Sequence, residues 1–165
     1  MVALGKVKVW MFSPSLESQE NQIQLPSFEY EVTDLTGNAT TIGVGKNKVV
    51  FLSYWATWCP PCIAEMPSIQ KLYENYGQQI DLVLITKENP ETVSDFLTKE
   101  NLDLPVYNPA MKTPQGLNDE RLPTSYLIDG NGKILIKETG ASDWNSEKVR
   151  QLLDQLLQKQ IAQIR

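Results

Sequence analysis

The chain contains two cysteines and no histidine. Cys59 and Cys62 stand three positions apart in Trp58-Cys59-Pro60-Pro61-Cys62, and Ile63-Ala64-Glu65-Met66-Pro67 follows at once. Upstream lies the apolar run Val49-Val50-Phe51-Leu52, continued by Ser53-Tyr54-Trp55-Ala56. A buried strand ending in a Cys-x-x-Cys pair at the mouth of a helix is suited to redox chemistry. With Cys59 as the N-cap, its sulfur faces free helix N–H groups and their partial positive charge. That environment lowers a thiol's pKa and favours the reactive thiolate. Cys62, one turn on, can reach Cys59, so a disulfide forms and breaks with little backbone movement.

The two prolines fit the first two helical positions, where a missing N–H costs little. They also remove two backbone donors from the neighbourhood of Cys59, and no His or Lys lies between the cysteines. A less stabilised thiolate makes a less oxidising pair, because strong oxidants owe their potential to a stabilised reduced form. The pair therefore leans towards reductant. Structural zinc needs four ligands, and two cysteines without histidine do not supply them. A purely structural disulfide closing so short a loop would constrain the unfolded chain little.

The elements that position this pair can be traced along the chain. Val2 to Phe12 is apolar with two lysines and too short to span a bilayer. It reads either as a strand or loose arm, or as the outer flank of a membrane anchor. Residues 1–24 are taken as an arm and linker, Ser13 to Gln24 being polar, and residues 25–165 as one domain. Phe28, Tyr30 and Val32 alternate with polar residues, giving a half-exposed strand that turns at Thr36-Gly37-Asn38 into a second near Thr40 to Ile42.

The central strand comes next, then a helix from Pro60 to about Tyr76 that Pro67 should kink and Gly77 should stop. Ile80 to Thr86 is a buried strand. Asn89-Pro90-Glu91 opens a second helix as cap, first residue and acidic first turn. Leu104 to Tyr107 is a short strand, and Thr113 to Asp119 is read as one or two helical turns. Arg121 to Asp129 is a strand with Pro123 at its head, and Asp129-Gly130-Asn131-Gly132 is a hairpin turn. A last helix, capped by Asp143 or Ser142, carries the stripe Val149, Leu152, Leu153, Leu156, Leu157, Ile161 and Ile164. This order demands parallel strands in its βαβ part and adds antiparallel ones after it, so a mixed sheet with helices on both faces is expected.

A net charge of −5 argues against nucleic-acid binding, which needs a basic face. With 41 % apolar and 21 % charged residues the chain has an ordinary globular balance.

Tyr54-Trp55-Ala56-Thr57-Trp58-Cys59-Pro60-Pro61-Cys62 with Glu65-Met66-Pro67, and Leu122-Pro123-Thr124 before the hairpin, resembles the TlpA/ResA/CcmG-like branch of the thioredoxin superfamily. The resemblance covers about residues 25 to 160, including the N-terminal strand pair and an insertion around Thr86 to Val106. It implies an α/β thioredoxin-like fold: a central mixed β-sheet flanked by helices, with an N-terminal β-hairpin extension. It implies an extracytoplasmic or periplasmic thiol–disulfide oxidoreductase, often anchored by one N-terminal helix. The chain would act as a monomer with no cofactor beyond its own Cys59–Cys62 disulfide and no metal.

Cys59, Cys62 and Glu65 are the catalytic candidates. Pro123 matches the family's cis-proline, and Trp58, Leu122, Pro123 and Thr124 are the substrate-binding candidates, the backbone at Leu122 pairing with a substrate chain by strand addition. Glu65, a neighbour of Cys62 on a helix, matches an active-site glutamate that modulates thiol protonation. It otherwise reads as a solvated surface residue. Ser53 departs from the pattern: many thioredoxins hold a buried aspartate there. Implied partners are protein thiols and disulfides, such as apocytochrome c cysteines, and a membrane thiol carrier as electron donor. An oxidase or isomerase using the same residues, and a metal-binding module, remain the alternatives.

Overall fold

The computed structural model describes residues 12–164. The apolar Val2 to Phe12 segment falls almost wholly outside them. Seven strands and three helices follow the expected order: β1 (Phe28–Asp34), β2 (Ala39–Val44), β3 (Val50–Tyr54), α1 (Pro60–Tyr76), β4 (Asp81–Ile85), α2 (Pro90–Lys99), β5 (Val106–Pro109), β6 (Thr124–Ile128), β7 (Ile134–Thr139) and α3 (Glu147–Ile164). The strands form one sheet in the order β2-β1-β5-β4-β3-β6-β7. β3, β4 and β5 run parallel, and the remaining pairs are antiparallel. The β1–β2 hairpin thus extends the sheet at one edge, as the resemblance implied.

β3 is buried at every position. It lies between β4 and β6 with both faces covered, so a strand there must be apolar throughout rather than alternating. Its side chains divide by parity. Phe51 joins the cluster that holds Met66, Ile69 and Leu72 of α1, Val93 and Leu97 of α2, and Val149 and Leu153 of α3. Val50, Leu52 and Tyr54 join a second cluster with Tyr30, Val83, Ile85 and Tyr126 that contains no helical residue.

All three helices therefore pack on one face, not on both as the element order suggested. The geometry explains it. β3, β4 and β5 advance in one direction across the sheet, so two right-handed crossovers put α1 and α2 on the same side. The other face is closed by irregular chain, with Leu25 in its cluster and Phe28, Leu117 and Leu122 packed against it. The helical turns expected at Thr113 to Asp119 are absent. Pro114 and Gly116 interrupt that segment, Gly116 takes φ +94°, and one turn remains where Leu117 N–H donates to Pro114 O.

Other local readings hold or shift for identifiable reasons. Asn89 caps α2, its Oδ1 accepting the Glu91 N–H at 2.8 Å. α1 continues through Pro67 as a single element. α3 begins later than expected. Ser146, not Ser142 or Asp143, caps it, with the Val149 N–H on Ser146 Oγ at 3.4 Å. The apolar stripe of α3 faces the core through Leu157, but Ile161 and Ile164 are exposed.

The polar stretch Ser13 to Gln24 is docked rather than a free linker. Glu17 N–H donates to Leu135 O, Ile134 N–H to Ile23 O, and Gln24 bridges to Lys133. β7 is an edge strand, and this segment satisfies two of its backbone groups, the Ile134 N–H and the Leu135 carbonyl. The hairpin turn adds to the anchorage. Gly132 takes φ +88°, and a Cβ there would sit 2.9 Å from Leu25 O.

Candidate active site

Cys59 is the N-cap of α1, with extended backbone (φ −94°, ψ 105°). Its Sγ accepts the N–H of Cys62 at 3.4 Å and is bonded to Cys62 Sγ as a disulfide. Pro60 and Pro61 occupy the first two helical positions, so neither offers an N–H to the sulfur, and the Cys62 N–H is the donor that remains in that turn. Cys59 is 4 % exposed and Cys62 is fully buried. A partner therefore meets the Cys59 side of the bond. Trp58, 71 % exposed, stands beside it as a large apolar side chain with little cover.

The Leu122–Pro123 peptide is cis. β6 starts directly after it, with Thr124 opposite Tyr54 of β3, which brings this loop to the end of the sheet from which Cys59 emerges. Leu122 and Trp58 line one cleft of about 160 Å³, together with Trp55, Thr86, Lys87 and Asp119. Lys87 and Asp119 form an ion pair within that lining. Thr124 is placed differently from the expectation that it touches substrate. Its side chain is 2 % exposed, and its hydroxyl donates to Arg121 O at 2.6 Å. It braces the proline loop from behind, leaving Leu122 and Trp58 as the accessible members of the predicted set.

Glu65 is buried and is the one charged residue type buried among the described residues. The solvated-surface reading of it is thereby excluded. Its Oε2 accepts the Ser142 N–H at 3.2 Å and the Trp144 Nε1–H at 3.1 Å. Its Oε1 has no hydrogen-bond partner. Burial pushes the Glu65 carboxyl up to about 8, and the donors from Ser142, Trp144 and Ser125 offset only part of that. An acid of that strength matches a cysteine thiol, so proton transfer between the two is nearly balanced. Glu65 lies one helical turn beyond Cys62 and faces the same packed side of α1.

Residues that the sequence did not single out hold this geometry. Ser68 Oγ donates to Glu65 O at 2.8 Å and accepts the Trp144 N–H at 3.1 Å. It thereby ties α1 to the segment that supplies both donors to Glu65. Trp144 is fully buried and packs edge-on against Phe51, ring centroids 4.8 Å apart. On the other side of the cysteines, Glu88 accepts the Thr57 N–H at 2.7 Å and the Thr57 hydroxyl at 2.6 Å. Asn108 Nδ2 in turn donates to Thr86 O at 2.7 Å and Glu88 O at 2.9 Å. The turn that delivers Trp58 and Cys59 is thus clamped by a carboxylate from the loop after β4. A Thr immediately before Trp-Cys was the available sequence signal, but its partner 31 residues away was not.

A strand-to-helix disulfide beside a cis-proline loop, on a mixed sheet with this order, defines the thiol–disulfide oxidoreductases of thioredoxin fold. The chain belongs to the Redoxin family, which it matches over residues 20–156. It is 32 % identical over 146 residues to the thiol-disulfide oxidoreductase ResA of Bacillus cereus, covering 87 % of this chain and 81 % of that protein. It is 29 % identical over 140 residues to the thioredoxin-like protein YneN of Bacillus subtilis, covering 82 % and 79 % respectively. Among solved structures, a Chlorobium tepidum protein described as a thiol:disulfide interchange protein DsbE aligns with TM-score 0.65 and 26 % identity, over 87 % of this chain and 99 % of the other. The chain is a thioredoxin-like thiol–disulfide oxidoreductase whose substrates are protein thiols.

Proposed function

We propose that this protein is an extracytoplasmic protein-disulfide reductase working through the Cys59/Cys62 dithiol. The observation that carries the direction is the environment of Cys59. One backbone N–H, that of Cys62, reaches its sulfur, because the two residues between the cysteines are prolines. A sparsely solvated thiolate is a poor resting state, so the dithiol gives up its electrons readily.

In the forward reaction the Cys59 thiolate attacks a substrate disulfide. A Cys59–substrate bond forms, and the first substrate sulfur leaves as thiolate. The Cys62 sulfur then attacks Cys59, its proton passing to the Glu65 carboxylate. The Cys59–substrate bond breaks, the electron pair leaves with the second substrate sulfur, and the Cys59–Cys62 disulfide remains. Trp58, Leu122 and the backbone ahead of Pro123 form the docking surface. The compartment, an apocytochrome c substrate and a membrane thiol carrier as electron donor rest on the resemblance to the TlpA/ResA/CcmG-like branch. Within the described residues, no helix is long and apolar enough to cross a membrane.

The deciding experiment is an equilibrium titration of the pair against a thiol buffer, followed by Trp58 and Trp55 fluorescence. A potential at or below about −220 mV supports a reductant, and one near about −120 mV replaces it with a disulfide-forming enzyme.

A further inference from the structure

Behind Glu65 lies a pair of hydroxyls that the reaction as written does not use. Ser53 of β3 and Ser125 of β6 face each other in register. Their Oγ atoms are 2.7 Å apart, and either can donate. Ser53 is 0 % and Ser125 1 % exposed. Both share strand parity with Phe51 and Leu127, which belong to the cluster against α1, so both hydroxyls point to the helix that carries Glu65. The Ser125 hydroxyl is the smallest of the three influences that hold the Glu65 carboxyl down, after the Ser142 N–H and the Trp144 indole, and in this structure its hydrogen bond is to Ser53 and not to Oε1.

The two oxygens of Glu65 are not equivalent. Oε2 is held by two donors, the Ser142 N–H and the Trp144 Nε1–H. A proton cannot also sit there without losing one of them. When Glu65 is neutral its proton is therefore on Oε1, the oxygen with no partner. A buried oxygen that alternates between O–H and O⁻ needs a neighbour able to accept in one state and donate in the other. A backbone N–H or an indole N–H cannot do this, whereas a serine hydroxyl can.

We infer that the Ser125–Ser53 hydroxyl pair is a reversible partner for Glu65 Oε1, with Ser125 as a positioning residue for proton transfer at Cys62. With Glu65 ionised, Ser125 donates to Oε1 and accepts from Ser53. Once the Cys62 proton has moved to Oε1, both hydroxyls rotate: Ser125 accepts from Glu65 and donates to Ser53. No atom leaves the pair and no electron moves through it. Each turn only reverses two hydrogen bonds. The inference rests on the reading of Glu65 as proton acceptor. Among the described residues, the groups that act on Glu65 from the elements packed against it are uncharged: β6 offers Ser125, backed by Ser53 of β3, and the segment before α3 offers Ser142 and Trp144, while Asp143 accepts the Asn145 N–H. Cys62 is the other titratable group on the same face of α1 once the disulfide is reduced.

The test uses Ser125→Ala, Ser53→Ala, Glu65→Gln and Glu65→Gln/Ser125→Ala in the full chain. Folding is checked by urea unfolding, and the Glu65 carboxyl is followed by carbon NMR against pH. Ser125→Ala removes the donor to the ionised form, so the Glu65 titration moves up by about one to two pH units. Ser53→Ala breaks the same serine–serine bond but leaves the hydroxyl next to Glu65, so it moves the titration much less. A role confined to strand pairing would give equal, negligible shifts and overturns the inference. In disulfide reduction, Ser125→Ala shifts the pH profile upward and has no further effect in the Glu65→Gln background. A shift that persists there also overturns it. If Glu65→Gln leaves the wild-type pH profile unchanged while Ser125→Ala still moves the carboxyl titration, Glu65's role as acceptor falls and the hydroxyl coupling stands.

Discussion

Replacing Glu65 by Gln tests the electrostatic argument where it is largest. In the folded chain, burial holds this carboxyl at about 8, against 4.5 for the free group. Below about pH 4.5 it is protonated in both states and the shift has no effect. From there to about pH 8 the unfolded chain releases the proton while the folded chain keeps it. The unfolded state then binds fewer protons, so stability falls as pH rises and levels off above the folded value. At about 1.4 kcal/mol per unit, the full span is on the order of 5 kcal/mol, a ceiling that structural relaxation reduces.

Glutamine has no proton to lose in this range. Its amide oxygen can still accept from Ser142 and Trp144, which now serve Oε2. Urea unfolding of the oxidised protein at pH 5, 6.5 and 8, wild type against variant, isolates the effect, because every other titrating group is common to both. The variant should gain on the wild type steadily as pH rises, by at least about 2 kcal/mol between pH 5 and 8. A difference that stays constant across the range would refute the reasoning and mean that Glu65 titrates like a solvated carboxylate.

The nucleophile assignment predicts opposite outcomes for the two cysteines. Cys59→Ser abolishes reduction of a protein disulfide, whereas Cys62→Ser accumulates a Cys59-linked mixed disulfide, both visible on non-reducing gels. Glu88→Gln removes the charge that holds Thr57 and at least one of its two short hydrogen bonds. It should lower stability by about 1–3 kcal/mol and raise the mobility of Trp58, read as a drop in tryptophan anisotropy. Asn89→Ala removes the cap of α2 and should cost about 1 kcal/mol in urea unfolding, with no change in activity.

Much of this architecture could be read from local pattern. The central strand, the two prolines at the start of α1, the Asn89 cap and the hairpin turn each rest on a few adjacent residues, and each formed where expected. What failed depended on chain far away in sequence. That the polar Ser13 to Gln24 stretch docks on β7 follows from the unpaired edge of that strand, more than 100 residues on. That all three helices share one face follows from the order of strands in space, and a list of elements contains no such order. Ser142 and Asp143 looked like caps because Ser and Asp usually are. The structure uses Ser142's N–H on Glu65 and leaves the capping to Ser146.

Glu65 lies between these two cases. Its pairing with Trp144, 79 residues away, could not have been read, but its burial could. Cys62, Glu65, Met66, Ile69, Leu72 and Tyr76 are all buried on α1, and they follow helical spacing from the first member to the last. Reading that stripe from Cys62 puts a carboxylate on the inner face of the helix, at a position where an apolar side chain would avoid the cost of burying a charge. Its three polar neighbours are uncharged, so no ion pair compensates for that burial. The disadvantage to the fold grows with pH up to about 8, the lower edge of the range in which an ordinary thiol titrates. A group kept there at that cost, one turn from the Cys62 sulfur, is better accounted for by the proton it exchanges than by any contact it makes.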